Sequence, residues 1–311
     1  MFLGIEIGGT KLQLGVGGGD AVLAGLWRGP VDVAAGPEGI RRQIIAAVPE
    51  LLARSDVERS RLKGVGIGFG GPVDDATRTI IKSHQIEGWD NFPLADWIDD
   101  LVGLPAVLAN DADVAGLAEA LHGAGKGLSP IFYITIGSGI GGGFIIDGEI
   151  HRGVGKGAAE IGHLRVATPG GYDILEHVAS GWGIESQVTA RVMCGENADV
   201  LQRLERTGPL TARLIARAAT QGDALCQSVL VGALAALAEG VCHVIALLGP
   251  RRIVIGGGVS LMGDALFVPL RRMVAERVFR PFADCYDIVP AALGEEVVVH
   301  GALTLARQRL G

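Results

Sequence analysis

The chain has 311 residues and a formal charge of −7, from 27 basic and 34 acidic side chains, an imbalance too mild and of the wrong sign for a nucleic-acid binder. Aromatic residues at 5% are too scarce for base-stacking platforms, while 49% hydrophobic residues and 49 glycines permit large cores with many unhindered backbone positions. This balance excludes a disordered chain and a disulfide scaffold, and the length predicts two domains.

In chain order, residues 3–16 (LGIEIGGTKLQLGV) read as an apolar strand, a Gly-Gly-Thr turn and a second apolar strand, hence a hairpin. A further strand is expected over Gly64–Phe69. The strand 106–108 then passes through Asn110-Asp111-Ala112-Asp113 into a helix near Val114–His122, whose apolar positions 114, 117, 118 and 121 share one face. Residues 131–146 (IFYITIGSGIGGGFII) repeat the design of the first hairpin, which points to two related halves. A helical stretch from Leu210 to Leu247 leads through Gly249-Pro250 to a strand at Arg252–Ile255, then Gly256-Gly257-Gly258 and a helix containing Pro269. The pattern is α/β, and without a Ser/Pro-rich linker the second domain should be continuous with the first.

Cys194, Cys226, Cys242 and Cys285 are far apart with no C-x-x-C pair, which predicts four buried free thiols in a reducing compartment. The opening Met1-Phe2-Leu3-Gly4-Ile5-Glu6 has no basic region and carries a carboxylate within its first apolar run, unlike a signal peptide. From Val229 to Leu248 the apolar stretch approaches membrane-spanning length, but Glu239 and His243 interrupt it. A buried helix of a soluble, cytoplasmic protein is expected, with no membrane partner.

Two segments, Gly66–Gly71 and Gly137–Gly142, match G-x-G-x-x-G, yet Pro72-Val73-Asp74 follows the first and the strand 144–146 the second. A dinucleotide site needs a helix to begin there, so both are poor candidates. No P-loop or G-x-S-x-G motif is present. The remaining turns, Gly8-Gly9-Thr10-Lys11 and Gly137-Ser138-Gly139, can aim consecutive N–H groups and a hydroxyl at phosphate oxygens, with Lys11 as a nearby point charge. Their glycines would equally serve only to permit the turns. Two such hairpins and a third glycine triplet suit one bound nucleotide and hence phosphoryl transfer.

Transfer to a hydroxyl needs a carboxylate to accept its proton. Asn110-Asp111-Ala112-Asp113 lies at the carboxyl end of a strand, where open α/β sheets bind ligands, although Asp111 or Asp113 would also serve as the helix N-cap. Glu160 and Glu176 can each take two sugar hydroxyls, or lie solvated on the surface. His163 is a ligand or a structural histidine.

These segments, with Gly71-Pro72-Val73-Asp74, Gly88-Trp89, Glu160-Ile161-Gly162-His163 and Ile255-Gly256-Gly257-Gly258-Val259-Ser260, resemble the ROK sugar kinases and repressors over nearly the whole chain. The resemblance implies an actin-like (ribonuclease H-like) ATPase fold of two α/β domains around an ATP and sugar cleft. Residues 1–112 plus 296–311 would form the smaller domain and 113–295 the larger. It implies Asp111 as general base, with Asn110, Glu160, His163, Glu176 and Gly71 at the sugar. Gly9, Thr10, Lys11, Ser138 and Gly139 would hold ATP phosphates, and Gly257 would border the adenosine. Mg²⁺ bridging the phosphates, through water to Glu6, and a homodimer are implied as well.

Where the family usually has a Cys-rich zinc loop, this chain reads RVATPGGYDIL from Arg165 to Leu175, so no structural zinc is expected. Glu6 stands where many members carry Asp, and Gln85 near the usual Asn. Repressor members carry a DNA-binding segment before the first hairpin, which here begins at residue 3. The leading expectation is an ATP-dependent kinase of a hexose or related sugar; a non-catalytic sugar sensor and a polyphosphate-dependent kinase are the alternatives.

Overall fold

Alternating apolar strands and helices build two five-stranded sheets in a computed structural model that describes residues 1–83, 86–154, 157–168, 170–205 and 208–311. The chain begins with the antiparallel strands β1 (Phe2–Ile7), β2 (Lys11–Gly17) and β3 (Leu23–Pro30), followed by helix α1 (Gly36–Arg54) and β4 (Val65–Phe69). A small hairpin, β5 (Val73–Asp74) and β6 (Thr79–Ile80), precedes α2 (Leu94–Val102), β7 (Ala106–Asn110) and α3 (Asp111–His122). Next come β8 (Ile131–Ile136), β9 (Ile140–Ile146), β10 (Glu149–Ile150), β11 (Arg165–Thr168) and β12 (Gly171–Ile174). Helices α4 (Leu175–Ala179), α5 (Gly181–Met193), α6 (Asp199–Glu205), α7 (Ala212–Thr220) and α8 (Ala224–Leu248) follow. The chain closes with β13 (Arg252–Gly256), α9 (Asp264–Arg277), β14 (Asp287–Pro290) and α10 (Val297–Leu310).

The first sheet has the order β3-β2-β1-β4-β7 and the second β10-β9-β8-β13-β14. Strands β1, β4 and β7 are mutually parallel, as are β8, β13 and β14. Every residue of β1 and β4 is buried, as expected of strands covered on both faces. The helix expected near Val114–His122 and both hairpins are present, and no helix follows either G-x-G-x-x-G match: β5 comes after the first, β9 occupies the second.

The chain forms two compact units: 1–129, 143–158 and 292–311 in the first, 130–142 and 159–291 in the second. The boundary expected at residue 112 therefore moves, because α3 belongs with α10. Gly301 of α10 lies so close to α3 that a Cβ there would collide with the Val114 carbonyl. On its other side α10 covers the first sheet, where a Cβ on Gly66 would strike the Ala302 carbonyl. Helix backbone thus approaches sheet backbone with no side chain between them. The opposite face of that sheet packs Ile5, Leu12 and Leu14 against Ile40, Ile44 and Leu51 of α1 and against Trp89.

In the second unit α8 is, among the described residues, the one helix long and apolar enough to cross a membrane. Its apolar stripe, including Val229, Ala233, Leu237, Val241 and Val244, is instead buried in the unit. Asp223 caps its start by accepting from the Cys226 N–H, and Gly249, with φ of 56°, ends it in the left-handed region. The expectation of four buried thiols holds for Cys226 alone. Burial, with the Asp223 carboxylate beside it, pushes that thiol up to about 12. Cys242 is half-buried, whereas Cys194 and Cys285 are exposed: one ends α5, the other lies in the loop before β14, both outside the apolar periodicity.

Candidate active site

In the first unit, register fixes the site. Ile7 pairs with Phe69 and Phe69 with Asn110, so β1, β4 and β7 end level, and Gly8, Gly70 and Asp111 leave the sheet side by side at its carboxyl edge. Asn110 is the N-cap of α3: its Oδ1 accepts from the N–H groups of Ala112 (2.9 Å) and Asp113 (3.3 Å), and its Nδ2 donates to the Gly71 carbonyl (3.0 Å). This corrects the expectation that Asp111 or Asp113 caps the helix. Asp113 is buried inside α3, and Asp111 is left half-buried at the edge. One Asp111 oxygen accepts from the Ala112 N–H at 2.7 Å; the other lies beside Gly70, 3.4 Å from where a Cβ there would sit.

The β1–β2 turn is closed by the Gly8 N–H donating to the Lys11 carbonyl at 3.1 Å, which leaves Gly9 half-buried and Thr10 exposed. Lys11, expected as a point charge near the turn, is tied to its neighbours. Its Nζ is 3.2 Å from Glu6 Oε1 and donates to the Glu295 carbonyl at 3.0 Å. Gln13 Nε2 donates to Glu6 Oε2 at 2.6 Å and to that same carbonyl at 3.0 Å. Burial raises the Glu6 pKa, opposed by the Lys11 charge and the Gln13 hydrogen bond.

In the second unit β8 and β13 run parallel with Thr135 opposite Gly256, so the turns that follow them, Gly137–Gly139 and Gly256–Gly258, emerge together. Gly257, at φ of 82°, fits where a Cβ would lie 2.5 Å from the Ile136 carbonyl. The Ser138 turn is braced by its surroundings. The Gly181 N–H donates to the Gly137 carbonyl at 2.8 Å, and the Trp182 N–H to the Ser138 carbonyl at 3.4 Å. Glu176, in the first turn of α4, accepts from the Ile140 N–H at 2.8 Å, and its carboxylate fills the space a side chain on Gly139 would need.

Glu160 and His163 sit exposed on one turn, with the His163 N–H donating to the Glu160 carbonyl at 3.1 Å. The Leu175 N–H donates to the Leu164 carbonyl at 2.8 Å, tying α4, and with it Glu176, to that turn. Ala159, just before Glu160, has a φ of 63°, strained for a residue with a Cβ. The shortened segment after His163 folds as the β11–β12 hairpin, Arg165 opposite Ile174 and Thr168 opposite Gly171. Gln85 lies outside the described residues.

Asp111, Asn110, Gly71, Gly9, Thr10 and Lys11 therefore belong to the first unit, and Ser138, Gly139, Glu160, His163, Glu176 and Gly257 to the second. Sequence reasoning missed Gln13, Glu295 and Trp182. A glutamine inside the apolar run Leu12-Gln13-Leu14 was a usable signal; the Glu295 carbonyl, 282 residues from Gln13, had none.

The ROK family model matches residues 2–309. A glucokinase of Halalkalibacterium halodurans is 32% identical over 315 residues, covering 99% of this chain and 95% of the relative. One of Thermotoga maritima is 30% identical over 316 residues, covering 99% and 98%. The crystal structure of a ROK family glucokinase from Streptomyces griseus, in complex with glucose and AMPPNP, matches with a TM-score of 0.81 at 31% identity and covers 99% of each chain. The α/β architecture described above is accordingly the actin-like ATPase fold. Motifs, topology and identity along the whole chain agree: it belongs to the ROK family.

Proposed function

We propose that this chain is an ATP-dependent kinase of a hexose or related sugar, with Asp111 as the base. The observation that carries the reading is the placement of Asp111: a half-buried carboxylate at the level ends of three parallel strands, beside two glycine backbones. The relatives named glucokinase, and the complex of one with glucose and AMPPNP, support the substrate class and the donor.

Asp111 accepts the proton of a sugar hydroxyl as that oxygen bonds to the γ-phosphorus and the bond from phosphorus to the departing ADP oxygen breaks. The Ala112 N–H holds one carboxylate oxygen at 2.7 Å and so helps to fix the orientation of the group that takes the proton. Asn110, locked between the α3 N-terminus and the Gly71 carbonyl, sets the position of Asp111 and of the Gly71 backbone at the sugar. Glu160, His163 and Glu176 take the remaining hydroxyls. The backbones of Gly9, Thr10, Ser138 and Gly139 hold the phosphates, with Lys11 as their cation, and Gly257 borders the adenosine.

When bound, Mg²⁺ would neutralise the β- and γ-phosphates. The residues present suit an ion carried chiefly by nucleotide and water: Glu6 is buried and both its oxygens already accept from Lys11 and Gln13. A homodimer in the cytoplasm completes the proposal on family membership alone, and light scattering tests the oligomer.

The decisive experiment is ADP release with Mg-ATP across hexoses, N-acetylhexosamines and ketoses, with the product identified by mass. Asp111→Asn should lower kcat by a factor on the order of 10² or more while sugar binding by calorimetry persists. Near-normal turnover in that variant would remove Asp111 from the role of base.

A further inference from the structure

Of the four tryptophans, Trp27, Trp89 and Trp97 lie in the first unit, where Trp89 is fully buried and the other two pack against the core. Trp182, in the second unit, is 53% exposed. An indole is the largest apolar surface a side chain offers, and leaving half of it in water forgoes much of the stabilisation its burial gives.

Its place in the chain is fixed by backbone bonds. Trp182 is the second residue of α5, after the cap Ser180, whose Oγ accepts from the Gly183 N–H at 3.0 Å. The Trp182 N–H reaches the Ser138 carbonyl, and the preceding Gly181 donates to Gly137. On its other side Gly181 faces Val259, whose Cγ2 is 3.8 Å from where a Cβ on Gly181 would sit. Trp182 thus follows the residue wedged between the Ser138 turn and the turn after Gly257. Leu261, on that second turn, is 71% exposed. One turn is assigned to donor phosphates and the other to the adenosine, so an unburied aromatic face occurs where an aromatic base must be accommodated.

We propose that Trp182 is the base-recognition residue of the donor site, its indole stacking on the purine and giving the enzyme its preference for a nucleotide over an inorganic phosphate chain. The inference rests on the kinase reading above. Stacking is tolerant of which base it meets, so Trp182 selects for a base rather than for adenine alone. Because backbone hydrogen bonds already join α5 to the Ser138 turn, and Gly181 lies against Val259 of the other turn, only the side chain has to adjust.

Two measurements test it. In steady-state kinetics with saturating sugar, Trp182→Ala should raise KM for ATP about tenfold, the order expected of one base–aromatic stack, with kcat and sugar KM unchanged. Trp182→Phe should restore most of the affinity. Adenosine should inhibit Trp182→Ala more weakly than wild type, while inorganic tripolyphosphate inhibits both equally. In the second measurement, ADP should quench and shift the tryptophan emission of the wild type and leave that of Trp182→Phe unchanged.

An unchanged KM for ATP in Trp182→Ala, or an ADP-insensitive emission in a wild type that uses ATP, overturns the assignment. A fall in kcat with a rise in both KM values would overturn it too, as the mark of a structural role at the start of α5. An altered oligomer with unaltered donor kinetics would make Trp182 a contact between copies instead. Failure of the wild type to phosphorylate any sugar would count against the kinase reading. ADP quenching, which needs no turnover, would still decide for or against Trp182.

Discussion

The β1–β2 turn and the β8–β9 turn each join two apolar strands through glycine and a hydroxyl residue, yet the bonds that hold them differ in charge and in reach. The first is steadied by charged and polar side chains of its strands: Lys11 and Gln13 each engage the Glu6 carboxylate and donate to a carbonyl from the far end of the chain. The second is steadied by backbone: the starts of α5 and β9 and one carboxylate pressed against Gly139. The first turn should therefore respond to protonation and charge, the second to volume.

The strongest way to separate the two regions is chemical. Asp111→Asn, at the edge shared with the first turn, should cost on the order of 10² or more in kcat, whereas no single change in the second turn should abolish turnover. Next in size is a contrast inside the second turn. Gly139→Ala forces a methyl onto the Glu176 carboxylate and breaks its bond to the Ile140 N–H; kcat/KM for ATP should fall about tenfold or more. Gly137→Ala, with nothing within 4 Å of its new Cβ, should stay close to wild type. Equal kinetics in the two variants would remove Glu176 as the brace.

For the first turn the test is pH. Burial raises the Glu6 pKa, so its contribution to stability is fully present below its unfolded value and is lost as pH rises through its folded one. Relative to Glu6→Gln, which carries no such titration, the wild type should lose unfolding free energy as pH climbs above about 4.5, as urea titrations at several pH values will show. A parallel pair of curves would mean that Lys11 cancels the burial. The smallest effect is expected at Ala159. Glycine there relieves a left-handed backbone worth ~1–2 kcal/mol, offset by ~0.4–1 kcal/mol of added chain freedom, for a net gain of roughly 0.8 kcal/mol in urea unfolding.

Much of this was readable from local pattern. Alternating apolar residues around Gly8-Gly9-Thr10 and Gly137-Ser138-Gly139 specify both hairpins, and the order of the motifs pointed to the family. The choice among Asn110, Asp111 and Asp113 as cap was not readable, because it depends on where β7 stops, and the pairing of Phe69 with Asn110 decides that. The ties at Glu295 and Glu176 were equally hidden. Each joins segments whose separation, 282 residues for Gln13 and 36 for Ile140, exceeds any sequence period. The domain boundary failed for the same reason: α3 looks like the start of a new domain until Gly301 is seen against Val114.

The glycine-faced sheet under α10 also bears on how the protein is made. Strand β1 leaves the ribosome first among the elements, and α10 last. Until α10 emerges, that sheet face, with Gly4 and Gly66 beneath Val299, Ala302 and Leu303, has little side chain of its own with which to collapse. The segment carrying Glu295, which engages Lys11 and Gln13, arrives in the same late stretch. The first unit can be completed only after the whole second unit has been synthesised, so the earliest translated strands wait longest for their partner and have most need of protection from aggregation meanwhile.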